Sequence, residues 1–328
     1  MPLHPRLKAM GLDVFTMLLI LTVAFATLLP ARGAAAPVVA SVAFWAVALL
    51  FFVYGAKLDA RTVLQGLANW RLQAMLLGVT FLVFPALCLL AGWGLGGVLS
   101  PLLVTGVVFL GVLPSTVQSS IAFTSIASGH VGAAICGASL SNMVGVVVTP
   151  VLAALLLGQG ALSVNGGAVL SIAIQIVLPF VLGQLARPLV GQVIARHRVL
   201  TQMVDRGSIL LIVYSAFSAG VVAGIWSRVS PLELAVLIGL CLVLLVLAIV
   251  AIRGGSRLLG LGHGDEMVLL FCGATKSLAS GVPIAATIFP PEMLSIVILP
   301  IMLYHQIQLV ICSALAQRQS QRAAAGTP

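Results

Sequence analysis

Apolar residues along this chain run in blocks of about twenty, and a helical block of that length crosses a bilayer core of roughly 30 Å. Ten blocks can be drawn, at about 11–31, 35–56, 72–95, 100–128, 131–158, 167–190, 207–227, 232–252, 266–289 and 293–316. The links between them are short. The pattern predicts an all-α integral membrane protein of ten transmembrane helices, a single membrane domain over 1–328 with residues 317–328 as a short cytoplasmic tail. Two blocks are long and interrupted: 100–128 by Pro114 and a run of hydroxyl residues, and 266–289 by Gly281 and Pro283.

Ten blocks divide into five and five. Because five is odd, the second group (about 167–316) enters from the side opposite to the first (about 11–158), which makes an inverted repeat. The interrupted blocks are then the fourth member of each half. Paired broken helices at matching positions point to a binding site near the bilayer midplane. The first block, with Arg6 and Lys8 before it and Ala-Arg-Gly-Ala-Ala-Ala at 31–36 after it, has features of a cleavable signal peptide. Retention is expected, since its apolar run is nearly long enough to span and its loss would leave nine helices with no matching halves.

Charge placement sets the orientation. Only 7% of residues are charged and 61% are hydrophobic, against roughly 25% charged in soluble domains. The net charge of +9 could suggest nucleic acid, but the basic residues are spread between apolar blocks. With the amino terminus in the cytoplasm, cytoplasmic links hold Arg6, Lys8, Lys57, Arg61, Arg71, Arg187, Arg196, Arg198, Arg206, Arg253, Arg257, Arg318 and Arg322. The opposite side holds only Arg32 and Arg228, so both termini are expected inside. The acids (Asp13, Asp59, Asp205, Glu233, Asp265, Glu266 and Glu292) fall in links or near block ends. Cys88, Cys136, Cys241, Cys272 and Cys312 lie in apolar blocks without metal-ligand spacing and are expected as buried thiols. No nucleotide-binding Gly-rich loop, Ser-His-Asp arrangement, intramembrane carboxylate pair or His-rich motif is present, which argues against an ATP-driven pump or a membrane enzyme.

Lys276 is the exception to this charge map, because it sits mid-block in 266–289. A cation at bilayer centre costs roughly 2.5–3.5 kcal/mol on insertion scales, so it must face a protein interior or a wet cavity. Polar side chains gather in the same two blocks and in the helices that follow them. The candidate substrate- or ion-binding residues are Ser115, Thr116, Gln118, Ser119, Ser120, Thr124, Ser139, Asn142, Thr275, Lys276, Ser277, Ser280, His305 and Gln306. About half of the hydroxyls would be spent on the carbonyl four residues back. His305 reads either as a hydrogen-bonded packing histidine or as a proton relay, and the Arg-His-Arg run 196–198 with Asp205 and Arg206 as a solvated cytoplasmic loop.

Five stretches carry a resemblance: 113–150 (LPSTVQSSIAFTSIASGHVGAAICGASLSNMVGVVVTP), 178–188 (LPFVLGQLARP), 205–218 (DRGSILLIVYSAFS), 271–283 (FCGATKSLASGVP) and 299–318 (LPIMLYHQIQLVICSALAQR). In these the chain resembles the bile acid:sodium symporter superfamily, in its bacterial branch. The resemblance implies a panel domain and a core domain, with broken fourth and ninth helices crossing in the core. Sodium-coupled members carry a Ser-Asn pair on the fourth helix and a Glu followed by Gln-Asn on the ninth. Here Ser120-Ile121 stands at the first pair, Phe271 at the glutamate, and Thr275-Lys276 at the second pair. Any sodium would have Ser120, Thr124 and Thr275 to bind it, and no carboxylate.

Three roles for Lys276 remain open: a fixed cation in place of a bound one, a proton carrier, or direct partner of an anionic substrate. The expected function is secondary transport of a small organic anion, bile acid-like or another carboxylate, by alternating access in the bacterial inner membrane. A channel or structural membrane protein is the alternative. No cofactor is implied beyond sodium or proton coupling, the partners are the substrate and membrane lipids, and nothing implies an oligomer.

Overall fold

The computed structural model describes residues 14–57, 69–157, 173–224, 227 and 229–324. The basic start at Arg6 and Lys8, the charges at Asp13, Asp59, Arg61 and Arg228, and the first residues of blocks 11–31 and 167–190 lie outside the described residues. Among the described residues every regular element is helical: α1 (Val14–Leu28), α2 (Ala35–Lys57), α3 (Trp70–Leu95), α4 (Pro101–Gly111), α5 (Gln118–Ile126), α6 (Val131–Leu157), α7 (Leu178–Arg196), α8 (Arg198–Val222), α9 (Pro231–Leu258), α10 (His263–Gly273), α11 (Leu278–Ile288), α12 (Pro291–Val297) and α13 (Leu299–Ala324). Eight stretches are long and apolar enough to cross a membrane, counting α10–α11 and α12–α13 as one each; α1 and α4 are shorter apolar helices. Large apolar side chains such as Trp45, Leu82, Trp93, Leu155 and Leu185 point outward, as a lipid-facing surface requires. This is a multi-span integral membrane protein.

Two predicted boundaries are corrected. Block 207–227 begins too late, because α8 starts at Arg198 and carries Asp205 and Arg206 in its second and third turns. Hydropathy ends a block at the first charges, whereas backbone hydrogen bonding does not. Residues 317–324 continue α13 for the same reason, since Ala, Gln and Arg are good helix formers in water.

The helices pack in two sets. α7 lies along α2 with Gly55 and Gly183 at the contact, where a β-carbon on either would collide with the backbone carbonyl of Phe180 or Phe52. α8 packs on α1 and α2 from one side and on α11 and α12 from the other. In the second set α10 is central, touching α3, α5, α6 and α9, and 94% of the α10–α11 window is buried. The middle of the span that holds Lys276 is therefore closed off from lipid.

Both breaks have local causes. Pro114 has no N–H to donate and biases Leu113 away from helical geometry, so α4 stops and α5 restarts at Gln118. In the other span, Ser277 caps α11 by accepting the Ser280 N–H at 3.1 Å, which starts a new helix four residues after α10 ends. The far ends of the two spans are also joined. The His130 N–H donates to Gly264 O at 3.2 Å, and His130 Nδ1 lies 2.8 Å from Asp265.

Candidate functional site

The two breaks meet, and their exposed backbone is satisfied almost atom by atom. Six consecutive carbonyls, Gly111 to Thr116, leave helical geometry in a buried place, where an unpaired one would cost about 1–3 kcal/mol. Val112 O accepts the Thr149 hydroxyl at 2.8 Å and Ser115 O accepts Asn142 Nδ2 at 2.8 Å. Pro114 O accepts the Ser277 N–H at 2.8 Å, a direct backbone bond from one break to the other. Thr116 O accepts the Ser115 hydroxyl at 3.2 Å. The remaining two, Gly111 O and Leu113 O, go to Lys276.

The Lys276 ammonium sits in a closed socket. Nζ donates to Thr80 O at 2.8 Å, Gly111 O at 2.7 Å and Leu113 O at 2.8 Å, which uses all three of its protons. It also lies 4.3 Å from the centroid of the Phe84 ring. Thr80 O is available because α3 contains a π turn at Val79–Val83, where the Phe84 N–H reaches back to Val79 O. The next residue, Pro85, has no N–H to offer. A π turn and a proline together free one carbonyl inside an otherwise intact helix, and the lysine fills it. Its own backbone is clamped by Gln308, whose Oε1 accepts the Lys276 N–H at 2.7 Å and whose Nε2 donates to Lys276 O at 2.9 Å. One turn earlier on α13 the Tyr304 hydroxyl donates to Ala274 O at 2.7 Å.

Beside the socket the hydroxyls form a tight knot. Thr275 Oγ1 lies 2.9 Å from Thr116 Oγ1 and 2.8 Å from Ser120 Oγ, and the Ser119 hydroxyl donates to Thr116 at 2.7 Å. Phe271 O, at the position where the resemblance implies a glutamate side chain, accepts from Ser120 at 2.9 Å and Thr275 at 2.8 Å. Ser115 joins from 3.4 Å. Thr124, expected beside Ser120 and Thr275, is buried with its hydroxyl unpartnered. Among the described residues no cluster of three His, Cys, Asp or Glu side chains is placed to hold a metal.

A cavity of about 700 Å³ opens on this junction, between α1, α2, α7 and α8 on one wall and the breaks with α6 and α13 on the other. Of the predicted residues it is lined by Thr116, Gln118, Ser119, Ser139, Asn142, Ser277, Ser280 and His305. Asn142 ties both breaks to the wall, since its Nδ2 holds Ser115 O and its Oδ1 accepts the Ser280 hydroxyl at 2.7 Å. His305 Nδ1 lies 2.9 Å from Gln308 Nε2. Ser115, Ser120, Thr124, Thr275 and Lys276 are buried behind this surface and do not line it. Gln306 turns instead toward α1, where its Oε1 accepts the Thr16 hydroxyl at 3.2 Å.

Some residues here escape a reading of the pattern. The socket carbonyl at Thr80 is signalled only by Pro85, a mid-span proline. Asp205 and Arg206, expected in a solvated loop, are in the cavity wall on α8, together with Lys57 at the end of α2. Lys57 is ion-paired with Asp205, whose side chain is only 16% exposed. Arg206 stands over the Phe15 ring, 5.5 Å from its centroid. Charges at the head of an apolar block read as a water-facing link when only hydropathy is counted.

A sequence profile of the SBF-like CPA transporter family matches residues 13–321. An uncharacterized protein of Pseudomonas aeruginosa, PA2026, is 44% identical over 311 residues, 94% of this chain and 93% of that one. YfeH of Escherichia coli, a proposed symporter by its name, is 40% identical over 95% of this chain and 94% of its own. The mouse sodium/bile acid cotransporter 7 is 29% identical over 84% of this chain and 82% of its own.

Proposed function

The chain belongs to the SBF-like CPA transporter family, a family of membrane transporters and not of enzymes, and from that premise we propose that it is a secondary transporter of a small organic anion working by alternating access. The observation that carries this is a 700 Å³ cavity lying between two sets of helices, joined along one side where α8 packs on α11 and α12, and ending on the paired breaks. Rocking one set against the other would open that cavity to alternate sides. On this proposal the protein has ten transmembrane helices. They are the eight long stretches, α1, and the broken α4–α5 pair, arranged as a five-plus-five inverted repeat in one domain. α1, α2, α7 and α8 form the panel, the rest form the core, and the broken fourth and ninth spans cross within it. The positive charges on the links support both termini in the cytoplasm, and the relatives in Escherichia coli and Pseudomonas aeruginosa favour a bacterial inner membrane.

Lys276 takes the part of a permanently bound cation. It neutralises carbonyl ends from both α3 and the first break and never reaches the cavity. Transport on this proposal does not require sodium, although the mouse relative's name includes it. The name also suggests bile acid-like carboxylates as first candidates for the substrate. The test is counterflow in proteoliposomes: saturable uptake of cholate, accelerated by unlabelled cholate inside, supports a carrier. Linear flux that never saturates would indicate a channel and overturn the proposal.

A further inference from the structure

The charged end of the cavity lies away from the breaks. Phe15 at the start of α1, Lys57 at the end of α2, and Asp205 and Arg206 near the start of α8 all belong to helix ends on one membrane face. Tyr54, one turn before Lys57, reaches toward Ala279 O at the head of α11, with 3.5 Å between the atoms. The charged end is therefore about one helical turn, roughly 5 Å along α2, beyond the hydroxyl-rich end. Between the two ends the walls are apolar and aromatic, with Phe51, Phe180, Ile209 and Met143.

Asp205 is committed to Lys57, and the pair cancels. Arg206, half-buried in the same wall, has no carboxylate partner among the described residues, so the described lining keeps one unpaired positive charge. The Phe15 ring centroid lies 5.5 Å from the guanidinium carbon, and no hydrogen bond among the described residues uses the guanidinium N–H groups, which are left for a planar, two-pronged acceptor. We infer that Arg206 is the residue that selects the substrate's charge: it takes the carboxylate of an amphipathic anion, whose apolar body lies along Phe51 and Phe180 and whose far end meets the hydroxyls of the breaks. The Lys57–Asp205 pair serves as a brake on this attraction, since it keeps a second cation from the ligand. This assignment rests on the transport reading above.

The experiment compares cholate with its uncharged amide, cholamide, as competitors of cholate counterflow in proteoliposomes. Wild-type protein should bind cholate at least tenfold more tightly than cholamide. Arg206→Gln should lose that preference with cholamide affinity unchanged, Arg206→Lys should keep part of it, and Asp205→Asn, which frees Lys57, should raise cholate affinity several-fold. Melting temperature of each variant checks that it is folded, and cholamide binding checks that the cavity is intact. An undiminished preference in Arg206→Gln, or an Asp205→Asn variant that binds cholate more weakly, overturns the assignment while leaving the transport reading standing. Wild-type protein that shows no cholate counterflow overturns both.

Discussion

Replacing Lys276 by Met removes an ammonium while nearly keeping the length of the side chain, and the consequences follow from its three bonds. Thr80 O, Gly111 O and Leu113 O would lose their donor at distances now between 2.7 and 2.8 Å. Each buried carbonyl left unpaired costs about 1–3 kcal/mol, so the gross loss is about 3–9 kcal/mol. Against this, a methionine spares several kcal/mol of ammonium desolvation. The difference is about 0–6 kcal/mol, a net loss as long as the three carbonyls stay dry. At about 2–4 °C per kcal/mol for domains of roughly 150–250 residues, and less for a chain of 328, melting should fall by several degrees.

The protein carries its own reporters for this loss. All five cysteines are buried thiols; Cys88 lies against Gly111 in the socket, and Cys272 is in the last turn of α10, one turn before Lys276, where its thiol faces Ala134 O at 3.8 Å. In Lys276→Met, thiol labelling followed by mass spectrometry should show Cys88 and Cys272 reacting faster than Cys312 at a temperature where wild-type protein is protected. Counterflow should be lost while membrane insertion is normal, because removing a charge eases insertion. Lys276→Arg should fail too, since a planar fork cannot aim three donors at three converging carbonyls. Wild-type melting, labelling and flux in Lys276→Met would show that the lysine does not hold the crossing together.

Three further outcomes are expected. Replacing sodium by choline should change cholate counterflow less than tenfold, because no carboxylate stands at the breaks to draw a second cation; a larger loss, about 1.4 kcal/mol of coupling, would refute this. Gln308→Leu orphans both the N–H and the C=O of Lys276 and should cost about 2–4 kcal/mol in a thermal melt, whereas Gln306→Leu, two residues away and facing Thr16, should stay within about 1 kcal/mol. Pro85→Ala restores an N–H near Thr80 O that competes with the ammonium, so it should destabilise by about 1–2 kcal/mol where a proline removed from a membrane helix would ordinarily help; a stabilised variant would mean that the π turn, and not the proline, frees that carbonyl.

Lys276 could be singled out from sequence because mid-span charge is so costly that its mere presence demands a partner. What it partners with could not be read, because the acceptors are backbone carbonyls, and every residue has one. Only geometry shows which carbonyls are unpaired, and the local cause, Pro85 after a π turn, lies almost two hundred residues away in the chain. Spans such as 35–56, 72–95 and 131–158 match α2, α3 and α6 closely because membrane helices are bounded by a steep change of solvent. That signal weakens where a charged residue sits on a helix at the edge of a cavity, which is how Asp205 and Arg206 came to be read as a loop. Thr116, Ser119, Asn142 and Ser280 were visible as an excess of polar groups in hydrocarbon, but their division into a cavity surface and a buried knot depends on side-chain direction. Gln306 and Gln308 are equally polar in the sequence, yet two residues on a helix turn them about 200° apart, one to α1 and the other to the crossing.

A cation that cannot leave cannot carry a gradient, so the proposed role of Lys276 predicts the sign of the charge balance of transport. A bound ion contributes driving force only by entering on one side and departing on the other; on the proposal above Lys276 keeps its proton throughout and does neither. A monoanion that crosses alone then moves net negative charge, and an inside-negative potential of 100 mV opposes its entry by about 2.3 kcal/mol, roughly fifty-fold in the accumulation it can reach. If two cations moved with each anion, the same potential would favour entry. Proteoliposomes clamped with potassium and valinomycin distinguish these cases in sodium-free buffer and again with sodium. Cholate uptake should be faster with the inside positive, or indifferent to potential if obligatory exchange moves one anion each way. Faster uptake with the inside negative would show a co-moving cation, and the lysine could then no longer be regarded as its permanent replacement.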